Sequence, residues 1–133
     1  MSEERQEIKI IGIDKDAIKT DPDKKEYWAV PFKLSSKPDQ NWEQNFYEVK
    51  KKNANALRRK SKILENSIIV EVSSADDLQK ILDVLKIEVV ETNVLCEKDY
   101  QKRLEIRREL EALQKAQRDA TQKFKDDADK LAF

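Results

Sequence analysis

Apolar positions along the chain follow two periods, and the change from one to the other predicts its elements. Residues 26–34 alternate strictly, with Trp28, Val30, Phe32 and Leu34 on one face and Tyr27, Ala29, Pro31 and Lys33 on the other. That period of two predicts a half-buried strand, and Pro31 predicts a sheet edge or a bulge, because proline has no N–H for a ladder hydrogen bond. Upstream, Ile8, Ile10, Ile11 and Ile13 form a β-branched run that also reads as a strand. The acidic stretch between them, Asp14 to Lys25 with Asp21-Pro22-Asp23 inside it, reads as a loop. Ser36 with Asp39 makes a capping box ahead of Trp42, Phe46 and Val49, which step at helical spacing. Lys50-Lys51-Lys52 suit the negative end of that helix, and Asn53 is its expected stop.

The scheme then repeats. Residues 56–64 predict an irregular, highly charged strand, Glu65-Asn66-Ser67 a turn, and Ile68 to Val72 a second strand. Ser74 with Asp77 forms a second capping box before Leu78, Ile81, Leu82 and Leu85. Val30, Phe32 and Leu34 superpose on Ile68, Val70 and Val72 at an offset of 38, and Ser35-Ser36 fall on Ser73-Ser74. Duplication would explain this, as would the general preference of strand-to-helix junctions for Ser and Asp. Ile87 to Val90 either continue that second helix or form a short strand, and three β-branched residues in four favour the strand. The expected fold is α+β: two ββα units, 7–53 and 56–90, sharing a mostly antiparallel sheet with helices packed on it, inside a small domain of residues 1–95.

From residue 96 to 133 the pattern predicts one long charged helix. Residues 97–130 carry ten positive and nine negative side chains and no Gly or Pro. Ile106, Leu110, Leu113, Gln117, Ala120, Phe124, Asp127 and Leu131 step by four and three, the coiled-coil spacing, although Gln117 and Asp127 make the seam leaky. Such a helix would extend about 50 Å at ~1.5 Å per residue. It either folds back along its own domain or pairs with another helix, and its length favours pairing.

Composition narrows the chemistry. The 133 residues include 27 Lys and Arg against 27 Asp and Glu, no His, one Cys and one Gly. Without His there is no Ser-His or Cys-His nucleophile pair and no imidazole metal ligand. Gly12 alone cannot build a phosphate-cradling loop. Asp14, Asp16, Asp21 and Asp23 lack the glycine and third ligand of a calcium loop, so no metal site and no cofactor are expected, and a carboxylate-and-metal hydrolase finds no supporting spacing. Cys96, flanked by alternating charges, reads as inert. One cysteine, an acidic polar N-terminus and no apolar stretch of about 20 residues point to a cytoplasmic protein with no membrane contact.

Two constellations remain. The helix stripe Ile106, Leu110, Leu113, Phe124 and Leu131 suits a protein partner, either a second copy or another chain. The basic run Lys50, Lys51, Lys52, Arg58, Arg59, Lys60 and Lys62, with Trp42, Phe46 and Tyr47 just upstream, could contact nucleic acid. Against this, Trp42 and Phe46 fit a buried stripe and the whole chain is neutral. The expectation is a non-enzymatic adaptor or scaffold module acting through its C-terminal helix, with nucleic-acid binding or regulation as the alternative.

Overall fold

The computed structural model describes residues 7–23, 26–53 and 60–133. Its contacts divide into a first unit, Met1–Glu97, and a second, Lys98–Phe133. The first unit is an antiparallel sheet of β1 (Ile10–Ile13), β2 (Lys19–Thr20), β3 (Tyr27–Leu34), β4 (Ser61–Leu64) and β5 (Ser67–Ser73). The order is β1-β3-β5-β4, with β2 also paired to β3. Helix α1 (Gln40–Lys52) follows β3, and α2 (Leu78–Asp129) follows β5. The α+β expectation of two ββα units on an antiparallel sheet therefore holds. Its centre is the β3–β5 pairing, where Phe32 faces Ile68 and Val30 faces Val70. The same apolar faces that match at the offset of 38 thus lie beside one another.

Period-two alternation puts Val30, Phe32 and Leu34 with Ile68, Val70 and Val72 on one face, where all are buried. Trp42 and Phe46 of α1 and Ile81, Leu85 and Val89 of α2 complete that core. At about 25 cal/mol per Å² of apolar area removed from water, this single core is the main source of the unit's stability. In β1, Ile10 pairs with Leu34 and Ile13 with Phe32, so three steps on one strand match two on the other. The extra residue is a bulge that turns both isoleucines inward and leaves Ile11 exposed.

Three local expectations are corrected. The helix caps are Asp39 and Asp77, and the serines do not serve. Asp39 Oδ1 accepts the Trp42 N–H at 2.8 Å, and Asp77 Oδ1 accepts the Gln79 N–H at 2.9 Å. Ser35 instead ties β3 to the segment before β1: its Oγ accepts the Lys9 N–H, and its own N–H donates to the Lys9 carbonyl. Pro31 lies in an interior strand. Its carbonyl accepts the Asp14 N–H at 3.0 Å. In an antiparallel strand a residue's N and C=O point to the same side. The ring nitrogen therefore faces the gap where β1 gives way to the 3-10 turn Lys15–Ala17, and no ladder bond is lost. Finally, Ile87–Val90 form no strand. They continue α2, which meets no Gly or Pro after its cap at Asp77. The few tenths of a kcal/mol by which β-branched residues disfavour helix are outweighed where Val89 enters the core. Of the strand expected over 56–64, residues 56–59 lie outside the described residues and 61–64 form β4.

Candidate functional site

The second unit contains the end of α2 and little else. From Glu105 onward every residue is exposed. Ile106, Leu110, Leu113 and Phe124 are 53–76% exposed, and Leu131, beyond the helix end at Asp129, is exposed as well. Ile106, Leu110 and Leu113, spaced four and three apart, and Phe124, eleven residues further on the same repeat, make an uncovered apolar seam. The surrounding faces are charged and carry local i,i+4 support, such as Gln122 Nε2 donating to Asp126 Oδ1 at 2.9 Å.

The basic run divides in the first unit. Lys50 ion-pairs with Glu88 of α2 at 2.8 Å and lies 5.8 Å from the centre of the Phe46 ring. Glu88 is 2% exposed, so this pair links α1 to α2 in the interior, away from any ligand. Lys51 pairs with Glu48 on its own helix at 3.6 Å, and Lys52 is exposed in the last turn of α1. Arg58 and Arg59 lie outside the described residues. Trp42 and Phe46 stack on each other inside the core, with ring centres 5.4 Å apart. The Tyr47 hydroxyl accepts the Ile63 N–H of β4 at 3.1 Å.

Lys60 and Lys62 stand apart from those groups. With Lys19 of β2, which the sequence had left in a loop, they rim an open depression of about 670 Å³. Ala29 of β3 and Ile69 of β5 line it, and alternation places both on the face opposite the buried Val30 and Val70. Asp21 and Glu71 also line it, leaving three positive against two negative side chains. None of the three lysines forms an ion pair among the described residues.

A part-buried polar cluster centres on Asn93. Its Oδ1 accepts from Trp42 Nε1 at 2.8 Å and from the Ile8 N–H at 3.3 Å, while its Nδ2 donates to the Ile8 carbonyl at 2.8 Å. One amide thus fastens α1 and the chain ahead of β1 to α2, a structural duty. No sequence motif pointed to it. Nearby, Asn45 Nδ2 donates to the partly buried Cys96 Sγ at 3.4 Å. Among the described residues no three His, Cys, Asp or Glu side chains gather as a metal site, and no helix is long and apolar enough to cross a membrane. Comparison with protein-family models, curated proteins and solved structures gives no match, so the site is read from its own geometry alone.

Proposed function

We propose that this protein is a non-enzymatic interaction module that associates with a protein partner through the C-terminal part of α2. The observation that carries the reading is the seam of Ile106, Leu110, Leu113 and Phe124, each more than half exposed on a helix whose surroundings supply no cover. An isolated helix gains little from propensity alone, and most helical stability in proteins comes from packing an apolar face. A seam spaced for knobs-into-holes packing supplies that face once a second helix arrives. Replacing Leu110 and Leu113 together by Asp places charges on the seam. Light scattering and chemical crosslinking should then show association abolished, with the fluorescence of Trp28 and Trp42 in the first unit unchanged. Association that survives the double substitution refutes the reading.

A second reading has one observation in its favour, the lysine-rimmed depression on the open sheet face. Lysines that neutralise phosphates release counterions, so nucleic-acid binding there would fall steeply between low and moderate salt. Replacing Lys60 and Lys62 by Glu should abolish it. A salt-insensitive interaction would rule it out. The two acids on the same rim rank it behind the helix.

A further inference from the structure

We infer that the partner of the exposed helix is a second copy of this chain, lying antiparallel with residue 106 opposite residue 124. This rests on the association reading above and names its occupant. Continuing the four-three spacing one step upstream of Ile106 reaches Arg103, so the seam runs from Arg103 to Asp127 with one basic and one acidic end. When two copies run in opposite directions, each position before a three-residue step faces one before a four-residue step. The chosen register sets Arg103 against the partner's Asp127, a charge pair that two-fold symmetry makes twice. It sets Ile106 against Phe124, and the long Leu110 against the small Ala120, so that bulk meets space. Leu113 meets Gln117 at the centre. On the flank, Glu109 comes beside the partner's Lys123, again twice.

Other arrangements fail on the same residues. A parallel, in-register pair puts Arg103 on Arg103 and Asp127 on Asp127, with like charges at both ends of the seam. Sliding the antiparallel pair by one heptad sets Asp99 against Phe124 and Arg103 against Ala120. Sliding it the other way sets Asp127 against Leu110. Within the helix, which ends at Asp129, only the central register sets no charge against an apolar seam residue; there Asp99 falls opposite Leu131, beyond the helix end. All ten side chains of that register, from Arg103 to Asp127, are exposed in the single chain and open to a partner.

The test uses the full-length chain with Cys96→Ser as background. Leu110→Cys and Ala120→Cys are made separately and oxidised alone and mixed, at about 100 µM so that a modest dimer is populated. The expected result is a covalent dimer in the mixture only, because residue 110 of one copy faces residue 120 of the other. Crosslinking of either variant alone indicates parallel pairing and overturns the proposal. A second measurement does not depend on cysteine. Arg103→Asp and Asp127→Arg should each raise the dimer dissociation constant about tenfold, and the combined variant should restore it. Single variants without effect overturn the register. A chain that scatters as a monomer of 15.6 kDa at that concentration overturns self-pairing. If that monomer still binds another protein through Leu110 and Leu113, the association reading stands; if it binds nothing, both fail.

Discussion

At the scale of single residues, polar side chains decide how the first unit is held. Asn93 serves the Trp42 indole and both backbone groups of Ile8. Truncation would leave a part-buried indole N–H and the Ile8 carbonyl without their partner, and an unmade bond of this kind costs more than a made one contributes. Asn93→Ala should therefore lower unfolding stability by about 2 kcal/mol in urea, followed by tryptophan fluorescence. A loss below about 0.5 kcal/mol would mean that water replaces the amide. This residue was illegible in the sequence, because an asparagine in an amphipathic stretch has no spacing that announces its partners. The caps were half legible. The Ser-x-x-Asp pattern of Ser36 and Ser74 located both helix starts, but the carboxylate three positions on does the capping.

At the scale of elements, the pairing of α1 with α2 turns on Lys50 and Glu88. Glu88 falls on the stripe of Ile81 and Leu85, and a charge on an apolar stripe was the available sign of a buried partner. The sequence reading instead grouped Lys50 with the surface lysines, because adjacency along the chain says nothing about which way a helical side chain points. Removing one partner strands the other. Glu88→Ala should cost about 3 kcal/mol, whereas Lys50→Met with Glu88→Met should return stability to near that of the parent chain, both read from urea midpoints. Equal losses in the two variants would show that the pair itself, rather than its desolvation, stabilises the junction. The β-strands were legible because alternation is a strong signal over eight residues. Ile87–Val90 misled because four residues carry too little pattern to outweigh a helix already under way.

At the scale of the whole molecule, the buried core and the exposed apolar seam lie in different stretches of sequence. The core cluster lies entirely within the first unit, and the exposed seam of Ile106 to Phe124 within the second. The Leu110→Asp, Leu113→Asp chain should accordingly show the parent's tryptophan unfolding curve while losing its association, a separation that distinguishes a binding defect from a folding defect. The heptad spacing of the seam was legible from residue 106 onward. The lysine-rimmed depression was not, since Lys19 comes from a two-residue strand and meets Lys60 and Lys62 only through the β2-β3-β5-β4 order.

The hydroxyl of Tyr47 carries one more consequence. It occupies the outward N–H of Ile63 on β4, the strand that ends the sheet on that side. Unpaired edge donors are templates on which foreign strands grow into aggregates. A phenol seated on the donor, with the lysine at position 62 beside it, makes this border a poor template. At this border of the sheet, strand addition would first have to displace the phenol from its donor.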